Sequence, residues 1–465
     1  MGWVTLAMGV VVEQFLGMNR ETGTWLFLGI VLAYSVGSGM WGVVMTDLIQ
    51  YVVATAGSLF LAWKAIDYCG GLNAMNAALA NQTEWSGATD GVLRVVPDPS
   101  ALDPSYSWWL VIGFILVWGA DIANAGGFIG QRIFASKNEK HASHAVLWFG
   151  FCYYLHNGWP WIVVGAASIH VLGATNAAAG LADYQETFPA MIMKLMPAGF
   201  RELMMASLIA AFMSTIDTLL NWGSSLLVND FYRRFVVTRS SRRHYVMVSR
   251  AFMLGLALFG GWFAMQFKSI TEMLMSVNMY LVGGFFAYML RWLWSRANIW
   301  SEIATMVGSI LVALMVQKVL PVYFGIWDSE DPFKYYGHQM TAILAGTTLI
   351  WAVVTLLTKH TDEKQLIAFY KQVVPPGPGW TRIRRLCGQD APRVDSFGKI
   401  LATWAMGVTS LIGLLAAIGY GLTCRWLTAL VMSTIALTAA FTYFRLFNQL
   451  HFPQEAVERT TPADI

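Results

Sequence analysis

Long apolar stretches follow one another along most of the chain, and short polar segments separate them. Stretches of bilayer length occur at about twelve places, which predicts a protein whose helices cross a membrane many times. These stretches cover residues 1–17, 24–38, 41–64, 107–130, 144–170, 203–229, 247–267, 270–290, 299–320, 337–358, 398–421 and 426–446, and the first is short. The predicted fold class is therefore an all-α polytopic membrane protein.

Polar segments divide this series into three predicted regions. Residues 1–358 form a core, and residues 359–396 form a linker that contains the run Pro375-Pro376-Gly377-Pro378-Gly379. Residues 397–465 supply two trailing transmembrane helices and a tail. Basic residues accumulate in alternate loops, including 132–142, 233–243 and 382–385, and the loops on the other side are acidic. The positive-inside rule therefore places these basic loops, the linker and both termini in the cytoplasm.

The composition agrees with a membrane protein and excludes several other classes. Hydrophobic residues make up 56% of the chain and charged residues 12%, about half the charge that soluble domains carry. The net charge of +3 gives no indication of a nucleic-acid partner. The four cysteines show no metal-ligand spacing, and no phosphate-binding loop or catalytic motif is present. We therefore expect a bilayer as the surroundings, no organic cofactor and no enzymatic activity.

One apolar stretch carries a stripe of oxygen-bearing side chains. Five residues share one helical face, because they fall at i, i+3, i+4, i+7 and i+11: Ser214, Asp217, Thr218, Asn221 and Ser225. A carboxylate in a membrane helix costs roughly 3 kcal/mol unless it is paired or solvated, so Asp217 is a candidate functional residue. Hydroxyl, carboxylate and carbonyl oxygens suit a hard alkali cation. Hydrogen bonds from the hydroxyls to their own helix backbone are the alternative explanation.

Two further places carry candidate chemistry. Asp47, near one end of the third span, either joins the stripe in binding an ion or caps a helix N-terminus. Gly126 and Gly127 end the fourth span, just after Trp118 and Asn124. A helix broken at this glycine pair would expose backbone dipoles to a substrate, although close packing of helices through glycine is the alternative.

Three blocks of residues resemble the sodium:solute symporter family, which includes sodium-coupled proline, pantothenate, sialic acid and glucose carriers. The first runs from Tyr34 to Gly39 and on to Thr46-Asp47-Leu48-Ile49-Gln50, the second is Gln131-Arg132-Ile133-Phe134-Ala135-Ser136-Lys137, and the third is Ala211-Phe212-Met213-Ser214-Thr215 with Asn229-Asp230-Phe231-Tyr232-Arg233-Arg234. They occur in the family's order over about residues 1–300. The stretch Gly158-Trp159-Pro160 resembles a bacterial branch, which implies a bacterial inner membrane.

This resemblance implies a LeuT-like fold of two inverted repeats and sodium-coupled symport of a small organic solute by alternating access. The family's main sodium ligands on its eighth core helix correspond to Ala211, Ser214 and Thr215. A second sodium site, found in some members, corresponds to Asp47, Ser214, Asp217 and Thr218. We expect Ser214 and Thr215 to face the same cavity as Asp217, and Asp47 and Asp217 to share an ion. The residues that correspond to substrate-contacting positions are Trp118, Asn124, Gly126, Gly127, Asn278 and Tyr280.

The resemblance also implies that this chain begins late. The family has about three further spans upstream, so the chain is expected to be N-terminally incomplete and to start within the third core helix. The alternative function is therefore a non-transporting membrane module, either a sensor or an assembly subunit. An intramembrane enzyme that uses Asp47 and Asp217 as a carboxylate pair is a third possibility. The resemblance specifies neither the solute nor the oligomeric state.

The charge pattern generates a prediction about topology. Reporter fusions after Lys140, Arg243 and Arg385 should all report a cytoplasmic location, because each follows a basic loop. A fusion after Asp98, in an acidic loop, serves as the control and should report the opposite side. External signals from two of the three basic loops would contradict the predicted orientation.

Overall fold

A computed structural model of the chain describes residues 1–37, 40–80, 95, 108, 111–112, 115, 130, 133, 136–173, 184–327, 335–388 and 395–450, with backbone alone at 36–37 and 40–46. The regular structure in these ranges is helical. Strand-like pairing within them is limited to an isolated bridge between Trp294 and Gly379. The all-α prediction is confirmed.

The chain forms two compact units. Residues 1–93 and 152–276 make up the first unit, and residues 94–151 and 277–465 make up the second. The first contains α1 (Gly2–Leu16), α2 (Arg20–Gly37), α3 (Met40–Tyr68), α4 (Leu72–Ala80), α6 (Gly158–Val171), α7 (Thr187–Leu195), α8 (Phe200–Leu226) and α9 (Arg242–Ala264). The second contains α5 (Glu139–Gly150), α11 (Phe285–Leu293), α12 (Ile299–Leu314), α13 (Leu320–Phe324), α14 (Tyr336–Leu357), α15 (Glu363–Val373), α16 (Thr381–Leu386), α17 (Phe397–Leu422) and α18 (Trp426–Phe447). The boundary between the units falls within α10 (Ile270–Leu281).

Wider or tighter helical turns extend several of these helices. A π-helical segment, Leu227–Val236, continues α8, and another, Phe151–Asn157, joins α5 to α6. A third, Met315–Val319, lies between α12 and α13. A 3₁₀ turn, Val282–Gly284, joins α10 to α11.

Eight helices in the described part of the chain are long and apolar enough to cross a membrane. They are Asp47–Tyr68, Phe200–Val236, Arg242–Ala264, Ile270–Leu293, Ile299–Phe324, Tyr336–Leu357, Phe397–Leu422 and Trp426–Phe447, and each overlaps a predicted span. The predicted spans 1–17 and 24–38 coincide with the shorter α1 and with α2, and the span 144–170 is divided among α5, the π-helical segment and α6. Most of the span 107–130 lies outside the described residues. The division at residues 358 and 396 stays a prediction.

An apolar core holds the first unit together and fixes the rotation of α8. Phe212, Ile216 and Leu220 lie on one stripe of α8, since they are spaced by four residues. All three are buried against apolar residues of α1, α2 and α9. With this stripe turned inwards, the neighbouring stripe of α8 faces α3 and α2, which both pack against α8.

Ion pairs join α1 and α2 within the first unit. Arg20, the first residue of α2, donates to Glu13 of α1 and also to Glu186. Glu186 ends the 3₁₀ turn Tyr184–Glu186 and is 4% exposed, so its carboxylate would be costly to bury without this guanidinium.

A tighter turn lies inside one membrane-length helix. The 3₁₀ turn Val282–Gly284 separates α10 from α11 within the continuous helix Ile270–Leu293. The Ser309 hydroxyl of α12 donates to the backbone carbonyl of Tyr280 over 2.5 Å. A backbone group inside a bilayer requires such a partner, because no water is available there. A Cβ atom at Gly283 would lie 2.4 Å from Ser309 Oγ and 2.6 Å from Thr347 Oγ1.

The segment 359–388 of the second unit forms a small packed element. Leu366, Tyr370, Trp380 and Ile383 form an apolar cluster with Cys387 between α15 and α16. Its loop is attached to the end of α11, where the backbone N–H of Gly379 donates to the Leu293 carbonyl over 3.0 Å. The helix pair α17 and α18 packs through small residues, with a Cβ on Gly413 placed 3.0 Å from the Cβ of Ala436.

Close packing at Gly283 generates a prediction about stability. Gly283→Ala should destabilise the protein by about 1–3 kcal/mol, because Ser309 and Thr347 must move to admit a methyl group. The measurement is thermal unfolding of the purified protein in detergent. Gly255→Ala is the matched control, since this helical glycine has no heavy atom within 4 Å of the added Cβ and alanine is the better helix former. Equal unfolding midpoints for the two variants would refute this interpretation.

Candidate functional site

The polar stripe of α8 faces two other helices of the first unit. Its oxygen-bearing residues lie next to the buried apolar stripe, so the face that carries Ser214 and Asp217 is directed towards α3 and α2. Both residues are at least half-buried, and Thr218 is half-buried beside them. A set of hydroxyl and carboxylate groups is thus enclosed by α2, α3 and α8.

A hydrogen bond across two helices joins the predicted residues Asp47 and Ser214. The Ser214 hydroxyl of α8 donates to carboxylate oxygen Oδ1 of Asp47 on α3. The two residues are 167 positions apart in the sequence, so this contact arises from the fold. Asp47 therefore projects towards the α8 stripe, and the structure does not support a role limited to capping a helix end.

Asp217 is the most enclosed member of the site. Its side chain is 0% exposed, and its Oδ1 oxygen accepts a hydrogen bond of 2.7 Å from the Asn221 amide one turn along α8. Its other oxygen, Oδ2, is buried and has no hydrogen-bond partner among the described residues. The charge of Asp47 acts on Asp217, so the two carboxylates lie within electrostatic reach of one another.

Ser35 of α2 completes this group, and the sequence did not indicate it. Its hydroxyl is 3% exposed and faces the Asp217 carboxylate. Ser35 lies in the block from Tyr34 to Gly39 that carries the family resemblance. A single serine near a helix end gives no periodic signal, so only the packing of α2 on α8 reveals it.

Ala211 and Thr215 lie on a different side of α8. Both are exposed in the first unit, and the Thr215 hydroxyl donates to the Ala211 carbonyl over 2.9 Å. Residues 215 and 217 are two positions apart, which separates their directions by about 160° on a helix with 3.6 residues per turn. Thr215 therefore points away from Asp217, in contrast to the expectation, and the assignment of Ser214 to the same site stays a prediction.

The hydroxyl oxygens of the site can bind a cation while they keep their hydrogen bonds. A serine or threonine hydroxyl has one proton and two acceptor lone pairs. Ser214 uses its proton towards Asp47, and Thr215 uses its proton towards Ala211, so the lone pairs of both oxygens remain available to an ion. The described residues contain no group of three or more His, Cys, Asp or Glu side chains that could hold a metal ion. Hydroxyl, carboxylate and carbonyl oxygens are ligands that suit a hard cation.

The predicted substrate residues fall into two groups. Asn278 and Tyr280 are half-buried on α10 of the second unit, directly before the 3₁₀ turn, and the Tyr280 carbonyl accepts a hydrogen bond from Ser309. The other four predicted residues, Trp118, Asn124, Gly126 and Gly127, lie outside the described residues.

Sequence relatives of this chain are sodium-coupled cotransporters. A bovine sodium/myo-inositol cotransporter is 26% identical over 408 residues, which cover 76% of this chain and 55% of the relative. A bovine sodium/mannose cotransporter is 26% identical over 407 residues, which cover 77% of this chain and 65% of the relative. The chain thus spans little more than half the length of the curated relatives it matches. These relatives are transporters and not enzymes, as expected for this chain.

The fold also matches a solved transporter structure. A sodium-coupled sialic acid symporter in a substrate-bound, outward-open state superposes with a TM-score of 0.57 at 18% identity. The match covers 78% of this chain and 72% of the symporter. This similarity confirms the predicted LeuT-like fold.

The family assignment of this chain rests on a sequence match over most of its length. The sequence model of the sodium:solute symporter family matches residues 4–311, which are 308 of the 465 residues. This range includes α2, α3 and α8, the helices that enclose the polar site. The chain belongs to the sodium:solute symporter family.

Proposed function

We propose that this protein couples the movement of sodium to the uptake of a small organic solute by alternating access. The observation that carries the proposal is the contact of Ser214 with Asp47 beside the buried Asp217. Two carboxylates in a site of low dielectric repel one another unless a cation or proton lies between them. A bound sodium ion would satisfy both carboxylates and the hydroxyl lone pairs at the same time.

The proposed sodium ligands form two sets on α8. One set consists of Asp47, Ser214, Asp217 and Thr218, on the side that faces α3 and α2. The other consists of the Ala211 carbonyl with the Ser214 and Thr215 hydroxyls, on the more exposed side. Ser214 belongs to both sets, so an ion in one set and an ion in the other would compete for its oxygen or share it.

For the solute, we propose a hydroxyl-rich molecule of the sugar or polyol class. The relatives are named for myo-inositol and mannose, and the similar solved structure is that of a sialic acid symporter. We place the solute beside the 3₁₀ turn that follows Asn278 and Tyr280, with Trp118, Asn124, Gly126 and Gly127 as further contacts. We place the protein in a cell membrane with its basic loops in the cytoplasm, and in a bacterial inner membrane on the resemblance of Gly158-Trp159-Pro160 to a bacterial branch.

Transport is tested directly in liposomes. The purified chain is reconstituted, an inward sodium gradient is imposed, and uptake of radiolabelled myo-inositol, mannose, glucose and sialic acid is measured. We expect at least one solute to accumulate with a sodium gradient and not with an equal potassium gradient. Sodium binding without uptake of any of the four would instead favour the non-transporting module.

The sodium site is tested by two substitutions. Ser214→Ala and Asp217→Asn should each raise the sodium concentration for half-maximal binding by about tenfold or more, because a lost ligand that contributes about 1.4 kcal/mol has this effect. Sodium-dependent tryptophan fluorescence of the purified protein is the measurement, since it does not require transport.

Two control substitutions match these variants in chemistry. Ser168→Ala removes a buried hydroxyl of α6 that donates to the Gly165 carbonyl, and Glu21→Gln neutralises an exposed carboxylate on α2. Both controls should keep the wild-type sodium dependence. Unchanged sodium dependence in Ser214→Ala or in Asp217→Asn would remove that residue from the proposed site.

A further inference from the structure

A second polar cavity lies in the first unit, between the π-helical end of α8 and the start of α9. It has a volume of about 550 Å³ and is open on one side. Polar and basic side chains dominate its lining, among them Asn229, Arg233, Ser240, Arg242, Tyr245 and Ser249. Residues 227–236 coil more widely than an α-helix, and this widening directs Arg233 over the Tyr245 ring at 5.5 Å.

The charge of this cavity is positive, and no ion pair among the described residues neutralises its arginines. The lining contains two arginines and no carboxylate. Neither Arg233 nor Arg242 forms an ion pair with another described residue. A guanidinium offers several N–H donors in a planar fork, which matches the oxygens of a phosphate group. The serine hydroxyls and the Asn229 amide add neutral donors around the same space.

The length of α8 places this cavity at the level of lipid headgroups. The continuous helix Phe200–Val236 has 37 residues and is about 55 Å long, whereas the hydrocarbon core of a bilayer is about 30 Å thick. Arg201 and Glu202 mark one boundary of the apolar segment. About 20 helical residues cross the hydrocarbon core, so the second boundary of the apolar segment lies near Asn221. The cavity lies at or just beyond this second boundary.

Apolar side chains of the same π-helical segment are exposed beyond that boundary. Phe231 is 55% exposed, Phe235 is 74% exposed and Val236 is 56% exposed. Phe231 and Phe235 stand on the same π-helical segment as Arg233, with ring centroids 6.0 Å apart. A free phosphate ion would gain nothing from these rings, whereas a membrane surface would contact them.

We propose that this cavity is a binding site for the phosphate headgroup of an anionic phospholipid, with Arg233 and Arg242 as its charged ligands. The site shares no residue with the proposed sodium ligands, although Asn221, which donates to Asp217, also lines the cavity. The proposal does not depend on the proposed transport activity. The headgroup would join the end of α8 to the start of α9, and so would stabilise the turn 237–241 between them.

Binding is tested with two double variants that carry the same charge. Arg233→Gln with Arg242→Gln removes both cavity arginines, and Arg234→Gln with Arg243→Gln removes their immediate neighbours, which do not line the cavity. Native mass spectrometry of the full chain in detergent measures the dissociation constant for phosphatidylglycerol. We expect the first variant to bind about thirtyfold more weakly, equivalent to about 2 kcal/mol, and the second to bind as the wild type does.

Further measurements with other ligands distinguish binding of an anionic lipid from binding of a neutral lipid or a soluble anion. Phosphatidylcholine should bind weakly to all three proteins, and inorganic phosphate should not displace phosphatidylglycerol. Equal weakening in both double variants would overturn the proposal, since it would indicate general attraction to a basic surface. Displacement by millimolar phosphate would also overturn it, in favour of a site for a soluble anion.

If the first double variant does not fold, Arg233→Gln and Arg242→Gln alone should each weaken binding about fivefold, and wild-type affinity in both would refute the site.

Discussion

A fully buried carboxylate on a membrane-spanning helix constrains the arrangement of the first unit. A carboxylate that lipid surrounds inside a bilayer costs up to about 2.5–3.5 kcal/mol, and Asp217 lies within the apolar segment of α8. The apolar residues Phe212, Ile216 and Leu220 on the adjacent stripe of α8 prevent this, because their burial turns Asp217 towards other helices. The same rotation brings Ser214 to Asp47 on α3 and leaves Ser35 of α2 beside the carboxylate. The position of α8 thus determines both the packing of the unit and the composition of its polar site.

Much of this arrangement could be predicted from the sequence, because it depends on periodicity. The spacing of Ser214, Asp217 and Asn221 is a local property of one helix, and the structure keeps these residues on one face, with Asn221 bonded to Asp217. Hydropathy likewise located the eight long helices, since it needs only composition and length. Ser35 and the direction of Thr215 were missed for a different reason. They depend on which helices surround α8 and on the exact angle at which α8 meets them, and no single window of sequence contains that information.

The 3₁₀ turn between α10 and α11 shows the same limit. The predicted span 270–290 corresponds to the continuous helix Ile270–Leu293, which hydropathy identifies. The tighter turn Val282–Gly284 lies inside this helix, at the pair Gly283-Gly284. Beside it, the Ser309 hydroxyl on α12 donates to the Tyr280 carbonyl from 29 residues further along the chain. This contact depends on how two helices pack, and no window of sequence contains that information.

The hydrogen bonds of the polar site are compatible with the proposed ion binding. Because Ser214 donates its proton to Asp47, the lone pairs of its oxygen remain available to a cation. An arriving cation would not have to break this bond, so the cost of reorganising the ligands is small. Without the cation, the charges of Asp47 and Asp217 oppose one another across the contact between α3 and α8. Occupation of the site would therefore change the free energy of this helix contact directly, which is the property that a transporter needs to link an ion to a change of conformation.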